Sequence, residues 1–221
     1  MKIRNDFPDF SRFSGSLDNL IVYIHRGQWC IRRKPSGVKP PSAPGQVAQQ
    51  ERMKSIAIFY QALKEAGIYA FWQQAAAGMV MHGYDMLVQR NLPAFNRGGL
   101  ICDFSKLRLT AGTVALPDGL RVSGEGDGSW SVAWEQTPDL VNALPDDRLR
   151  LYVMKDSRTF AVKPVVCGCV CRRDGSASFR LPEQLESYVH LYVLFCSSTG
   201  EKCSESKYFS INLNSHFYGK I

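Results

Sequence analysis

The strongest structural signal in the chain lies in residues 21–52, which read IVYIHRGQWCIRRKPSGVKPPSAPGQVAQQER. Apolar and mixed side chains alternate on both sides of Gly27, and a glycine suits a turn that needs a positive φ. Four prolines follow within residues 35–44, and they favour an extended polyproline II backbone over a helix. From Gln46 the pattern becomes helical. The stretch therefore predicts a β-hairpin, then a proline-rich strap, then the start of a helix.

Two helices are predicted after the strap. In the first, apolar residues recur at i, i+3 and i+4 from Gln46 onward, and Gly67 stands where a glycine commonly ends a helix. The second is predicted over residues 69–91, closed by Pro93. It carries three small residues that would let a neighbouring backbone approach closely: Ala75, Ala76 and Gly83. The short connection between the helices predicts an αα-hairpin.

The remainder of the chain has the pattern of an all-β domain. Short apolar runs alternate with turns rich in glycine and aspartate, as in a sandwich. Strands are expected at residues 106–110, 119–124, 129–136, 148–155, 165–172, 177–181, 189–197 and 206–213. A Trp pair on an early strand (Trp130, Trp134) and tyrosines on the penultimate one (Tyr188, Tyr192) resemble the fibronectin type III pattern.

The predicted fold class is therefore α+β. An N-terminal β-hairpin plus αα-hairpin domain is expected over residues 1–104, with the basic hairpin and the proline-rich strap at its start. An all-β sandwich like those of immunoglobulin and fibronectin III domains is expected over residues 105–221.

The charge of the chain is concentrated in its N-terminal half. The 221 residues carry a net charge of +7. Residues 1–104 contain 13 Lys and Arg against 7 Asp and Glu, whereas residues 105–221 contain 14 against 13. Such asymmetry indicates either a polyanionic partner or a surface charged for solubility.

The N-terminal sequence predicts a cytoplasmic protein, or part of a particle that assembles in the cytoplasm. Residues 1–20 are polar and have no apolar segment typical of a signal peptide. The longest apolar runs are far shorter than a membrane span. The seven cysteines are therefore expected to be reduced.

The cysteines are the first candidates for chemistry. Cys167, Cys169 and Cys171 have the spacing of one strand face, and a straight strand separates the first from the third by about 13 Å. That separation disfavours a single zinc ion, so core packing is preferred to a metal site or a redox site. A disulfide between Cys196 and Cys203 is geometrically allowed but needs an oxidising compartment. No cofactor and no metal is predicted.

The other residues that could support catalysis do not form a known pattern. The four histidines are scattered, and His190 is expected as a satisfied or partly exposed strand side chain. The chain has no nucleophile elbow and no phosphate-binding loop. Asp146 and Asp147 follow Pro145 and are expected in a solvated turn, because general acid–base work needs two carboxylates that face one substrate. The sequence therefore predicts that the chain is not an enzyme.

The basic strap remains as the candidate contact surface. Its cations lie beside aromatic residues, a combination that suits phosphate contacts with base stacking. It also suits a protein interface, where Arg, Trp and Tyr are favoured anchors. A third interpretation places Trp29 in the core and leaves the cations solvated. The candidate partner-binding residues are Tyr23, Arg26, Trp29, Arg32, Arg33, Lys34 and Lys39.

This part of the chain resembles an uncharacterised family, a domain of unknown function found in Bacteroidetes and their mobile elements. The matching features are Phe13-Ser14-Gly15, the hairpin with Val22, Arg32 to Pro35 with Val38-Lys39 and Pro41, and finally Gln46, Gln49, Gln50 and Arg52. A Ser-x-x-Tyr-like segment at residues 204–208 fits the C-terminal part of the family. The chain departs from the family pattern at Pro40-Pro41, where Asn-Pro is expected. The resemblance implies the fold and its boundaries, and it implies no activity.

Three functions follow as hypotheses. The first is a non-enzymatic structural or interaction protein, a subunit of a phage-like or other multi-subunit assembly, whose partners are other protein subunits or itself. The second is a nucleic-acid-binding protein that uses the basic strap 26–39. The third is a carbohydrate-binding module, which would need Trp130 or Trp134 on the surface, although Trp134 is expected in the core.

Overall fold

The computed structural model describes residues 14–25, 27–37, 43–125, 128–137, 140–155, 160–181 and 188–213. These parts contain both helices and antiparallel strands, which confirms the predicted mixture of the two. The chain divides into two compact units, the N-terminal unit of residues 1–43 and the C-terminal unit of residues 44–221. Residue 104, where the sequence predicts a domain boundary, lies inside the C-terminal unit.

The N-terminal unit is built on a three-stranded antiparallel sheet. Its strands are β1 (Gly15–Leu17), β2 (Leu20–His25) and β3 (Gln28–Arg33), in that order across the sheet. The turn between β2 and β3 contains Gly27 with a φ of 74°, a left-handed conformation that glycine adopts without a steric penalty. The chain therefore reverses direction at the position where the sequence predicts a turn.

The C-terminal unit begins with the helix α1 (Pro44–Glu65). Proline is well suited to the first turn of a helix, where its missing N–H has no partner to lose. At the other end Gly67 has a φ of 72°. Its N–H donates to the carbonyl of Lys64, while that of Ile68 donates to the carbonyl of Leu63. These two bonds form a Schellman cap, so the predicted helix end at Gly67 is confirmed.

The single second helix predicted over residues 69–91 is wrong. The structure has two shorter helices there, α2 (Ala70–Ala75) and α3 (Gly83–Asn91). Between them Gly78 has a φ of 78°, which a continuing helix excludes. Gly83 lies so close to α2 that a Cβ there would be 2.8 Å from the carbonyl oxygen of Trp72. Gly83 thus permits a close backbone approach, as predicted for a small residue. The backbones that approach each other, however, are those of α2 and α3, which the sequence predicts as one helix.

In the described part of the chain, two antiparallel sheets follow the helices. One has four strands and the other has three. The strands are β4 (Arg121–Gly124), β5 (Ser129–Ala133), β6 (Arg148–Lys155), β7 (Val162–Val165), β8 (Ser176–Arg180), β9 (Tyr188–Cys196) and β10 (Lys207–Asn212). Their order is β10-β9-β6-β7 in the four-stranded sheet and β4-β5-β8 in the three-stranded sheet. The specific likeness to a fibronectin III domain stays a prediction.

The four-stranded sheet is covered on both faces. One face packs with the three-stranded sheet around Trp134, Val132 and Phe195. The opposite face packs with the helices, where Tyr192 and Leu194 of β9 share a core with Trp72 of α2. The C-terminal unit therefore has three layers, helices, sheet and sheet, and the helices do not form a core of their own.

Two predicted strands are wrong. Residues 106–110 form no strand, because Leu109 N–H donates to the Ser206 hydroxyl and the Leu109 carbonyl accepts from the Trp72 indole. Residues 165–172 also form no continuous strand. β7 ends at Val165 and Gly168 has a φ of 75°, so the chain turns instead of extending.

Candidate partner-binding surface

The candidate surface is the sheet of the N-terminal unit. The β2–β3 register pairs Ile24 with Trp29, and the pairing continues to Leu20 with Arg33. The N–H of Lys34 donates to the carbonyl of Asn19 at 2.6 Å and extends this ladder by one pair. Because paired residues in an antiparallel sheet share a face, the register assigns every side chain of the sheet to one side or the other.

One side of the sheet, called the apolar face below, carries Leu17, Leu20, Val22, Ile24, Trp29, Ile31 and Arg33. The other side, called the mixed face, carries Ser16, Ile21, Tyr23, His25, Gln28, Cys30 and Arg32. Lys34 continues the alternation of β3 on the mixed side, next to Arg32 along the strand.

The predicted site residues therefore do not form one cluster. Tyr23 and Arg32 meet on the mixed face, where the guanidinium carbon lies 5.8 Å from the ring centroid in a cation–π contact. Trp29 and Arg33 lie on the apolar face. Lys34 lies on the mixed side, and the last two predicted residues, Arg26 and Lys39, lie outside the described residues.

The apolar face is largely exposed. Leu17 is 52% exposed, Leu20 is 42% and Ile24 is 55%, whereas Val22 is 2% exposed. Val22 is the one fully buried side chain among the described residues of the N-terminal unit. Trp29 and Ile31 are half-buried. The sequence analysis does not predict this exposed cluster. Leu20 and Ile24 have the spacing of one strand face, but Leu17 lies on β1 and joins them only through its pairing with Leu20.

The sheet is also cationic. Arg32, Arg33 and Lys34 are exposed, and Asp18 is the one acidic residue among the described parts of the N-terminal unit. The ion pairs found between described residues do not include any of the three cations. Their charge is therefore free to interact with an acidic group from outside.

The cysteines are arranged differently from the prediction. Cys167 and Cys171 are half-buried and Cys169 is exposed, on a turning segment and not on one strand face. In the described part of the chain no three His, Cys, Asp or Glu side chains are placed to hold a metal ion. Cys196 and Cys203 are free, buried and paired across an isolated bridge. Burial raises the pKa of the Cys196 thiol to about 11 and that of the Cys203 thiol to about 12.

The expected turn at Asp146 and Asp147 is correct for the first residue and wrong for the second. The side chain of Asp146 is 62% exposed, but that of Asp147 is 2% exposed. Asp147 forms an ion pair with the buried guanidinium of Arg172 at 3.3 Å. Burial lowers the pKa of Arg172, and the neighbouring carboxylate of Asp147 opposes this effect. Local sequence contained no signal for this pair, because its members are far apart along the chain.

The aromatic residues of the sandwich are interior residues. Trp130 is 8% exposed and Trp134 is 4% exposed. A carbohydrate-binding surface would need one of these two tryptophans on the surface, and both are buried. His190 is buried on β9, stacks on Phe104 and lies 3.0 Å from the hydroxyl of Tyr208.

Comparison with known proteins finds a family for the chain but no activity. The model of a family of unknown function matches residues 12–210 of the 221. No curated protein matches the chain. Among the described residues, none of the helices combines the length and the apolar character that a membrane span requires.

Proposed function

We propose that this chain, which belongs to the family of unknown function DUF6266, is a non-enzymatic interaction subunit. Its N-terminal sheet binds an acidic face of another protein. The observation that carries the proposal is the combination of exposed aliphatic side chains and exposed cations on one small sheet.

The exposed aliphatic residues favour a protein partner. Leu17, Leu20 and Ile24 lie on the same face and retain about half of their surface in contact with solvent. Covering such side chains contributes on the order of 1 kcal/mol each, from the usual 25 cal/mol per Å² of apolar surface. The half-buried Trp29 extends this surface, and aromatic residues and arginine are enriched at protein interfaces.

The charge favours an acidic partner. Arg32, Arg33 and Lys34 follow one another at the end of β3, and the one acidic residue described nearby is Asp18. A second copy of the same sheet would bring more cations and no compensating cluster of carboxylates. An acidic protein surface supplies the opposite charge and speeds association.

Nucleic acid is the less favoured partner. Arg33 lies on the apolar face, whereas Arg32 and Lys34 lie on the mixed side of the sheet. A groove that follows a phosphate backbone needs its cations on one side. The ring of Tyr23 is already in contact with Arg32, and aliphatic side chains offer little to phosphate or base.

The test uses three labelled probes and the full-length chain. The probes are a short peptide of alternating Glu and Val, the matching peptide of Lys and Val, and a single-stranded oligonucleotide. Fluorescence anisotropy at low salt is expected to show binding of the Glu-Val peptide and none of the Lys-Val peptide. Added salt should weaken this binding, because exposed charges are screened.

The matched variants reverse three charges each. In the first, Arg32, Arg33 and Lys34 all become Glu; in the control, three exposed cations of the C-terminal unit, Arg97, Arg121 and Lys163, become Glu. Both lose the same net charge. The first is expected to bind the Glu-Val peptide about tenfold to a hundredfold more weakly, from several exposed charge contacts of 0.2–1 kcal/mol that become repulsive. The control should bind like the original chain.

Two results would contradict the proposal. If the original chain does not bind the Glu-Val peptide at low salt, the sheet is not a surface for an acidic protein. If the oligonucleotide binds and only the first variant loses it, the nucleic-acid hypothesis replaces the proposal. The peptide comparison does not depend on the folding of any variant.

A further inference from the structure

The outer edge of β3 is a row of backbone groups that point away from the sheet. Among the strands of the described residues, β3 lies at the edge of its sheet and pairs with β2 alone. The bond from Lys34 N–H to the Asn19 carbonyl identifies this pair as a hydrogen-bonded one. Hydrogen-bonded and non-bonded pairs alternate in an antiparallel ladder. The next bonded pair is therefore Ile21 with Arg32, and the one after it is Tyr23 with Cys30.

The backbone N–H and C=O groups of the intervening residues of β3 therefore point away from β2. Trp29, Ile31 and Arg33 form the non-bonded pairs with β2, so their N–H and C=O groups face away from it. Within the described parts of the chain, these groups make no backbone hydrogen bond beyond the ladder. An edge of this kind is a template for an added strand.

The edge has a built-in pattern of side chains. Trp29 and Ile31 lie on the apolar face, and Arg32 and Lys34 lie on the mixed side. A neighbouring strand would match this pattern with apolar residues on the apolar face and carboxylates on the mixed side. Cations on an edge oppose pairing with another cationic edge, and an acidic strand removes that opposition.

We infer that β3 accepts an antiparallel strand from the acidic partner, bonded to the outward groups of Trp29, Ile31 and Arg33. This inference rests on the proposed function and specifies how the partner binds. The partner segment is extended and alternates apolar with acidic residues. Its apolar side chains contact Trp29 and Ile31, and its carboxylates lie beside Arg32 and Lys34.

The geometry predicts which backbone groups of the Glu-Val peptide must be free. In antiparallel addition, the residues opposite Trp29, Ile31 and Arg33 form the bonded pairs. These positions share the apolar face, so they are the valines of the peptide. The N–H groups of the valines therefore point at β3, and those of the glutamates point away from it.

The deciding experiment compares two N-methylated forms of that peptide with the same number of methyl groups. Methylation of the valine nitrogens should weaken binding to the full-length chain by tenfold or more, since several hydrogen bonds of about 0.5–1.5 kcal/mol are lost together. Methylation of the glutamate nitrogens should leave binding within about threefold of the parent peptide. Each form controls for the effect of methyl groups on the free peptide.

A substitution in the chain gives an independent measurement. Ile31→Pro removes one outward N–H, and proline is tolerated on an edge strand where that group faces solvent. It should weaken binding of the unmethylated peptide by roughly threefold to tenfold. The control Ile31→Val, which keeps the N–H, should have a much smaller effect.

The outcomes separate the two proposals. If the unmethylated peptide does not bind, the proposed function fails and this inference fails with it. If both methylated forms bind like the parent, strand addition is refuted while the acidic-partner proposal stands. Loss confined to the glutamate-methylated form refutes the antiparallel arrangement. A concentration-dependent dimer in light scattering that Ile31→Pro dissociates would replace the acidic partner with a second copy of the chain.

Discussion

Removal of the Asp147 carboxylate should destabilise the C-terminal unit far more than removal of its neighbour Asp146. Asp147 accepts hydrogen bonds from Leu144 N–H at 2.8 Å and from Arg172 Nε at 3.3 Å, and its side chain is 2% exposed. Asp146 forms an ion pair with Arg173 at 2.8 Å, but both side chains are more than 60% exposed. Two adjacent aspartates thus pair with two adjacent arginines in opposite environments.

The expected magnitudes follow from burial. Asp147→Ala leaves the guanidinium of Arg172 charged, with 10% of its side chain exposed. Breaking a buried pair by removing one partner lowers the free energy of unfolding by about 3–5 kcal/mol. Asp146→Ala should lower it by about 0–1 kcal/mol, because water replaces an exposed partner. For a chain of this size, the first change corresponds to a fall in Tm of roughly 6–20 °C.

Urea unfolding followed by tryptophan fluorescence measures this difference. The indole of Trp134 donates to the Arg172 carbonyl at 2.7 Å, so its emission reports on this part of the sandwich. A double variant, Asp147→Leu with Arg172→Met, should recover part of the loss, because it removes both charges and keeps apolar volume. The reasoning is refuted if Asp147→Ala and Asp146→Ala differ by less than about 1 kcal/mol in unfolding free energy.

Further predictions concern a close approach and the buried thiols. Gly112→Ala should unfold the C-terminal unit at a much lower urea concentration than Gly98→Ala, because a Cβ at 112 collides with the Cys203 backbone, whereas one at 98 has only an ordinary contact. In the native chain at pH 8, iodoacetamide should modify exposed Cys169 before Cys196 and Cys203, as mass spectrometry can show; equal rates would contradict their burial. The free energy of unfolding should also fall as pH rises from about 9 to 10, by on the order of 1 kcal/mol per buried thiol. In this range Cys196 and Cys203 ionise in the unfolded chain, whereas burial raises their pKa values to about 11 and about 12 in the folded chain and keeps them protonated. The fall should shrink when both are replaced by Ala, and an unchanged fall would contradict this assignment.

Local patterns in the sequence predict an element correctly where nearby residues determine its conformation. Gly67 ends α1 in a left-handed conformation, as its position after a helical pattern predicts. The strand predicted over residues 148–155 is β6 with the same bounds. In both cases the deciding interactions are short in sequence, and neighbouring residues were sufficient to indicate them.

The errors arose where contacts between distant residues decide the structure. Residues 69–91 have a helical pattern throughout, but α3 folds back so that Gly83 lies against Trp72. Nothing in the helical pattern specifies that return. Asp147 likewise gains its partner Arg172 only when the sandwich forms.

The layering of the C-terminal unit has a signal in the sequence. β9 reads YVHLYVLFC, and every residue after Tyr188 is buried. A strand that is apolar on both sides indicates a sheet covered on both faces. The alternation of the tyrosines and His190 partly hides this signal, and the sequence pattern alone predicts the helices as a separate domain. For the candidate surface, the residue types were recognised, but the division of the cations between two faces depends on register, which composition does not determine.

The two units differ in how their apolar side chains are used, and this difference bears on function. The C-terminal unit buries two clusters of large side chains, whereas the described N-terminal unit buries Val22 alone. A three-stranded sheet needs a covered hydrophobic face to be stable by itself, and Leu17, Leu20 and Ile24 remain exposed. A partner that covers them would stabilise the sheet, because binding to the folded state alone raises its stability. Leu17, Leu20 and Ile24 would then determine both the stability of the sheet and its affinity for the partner.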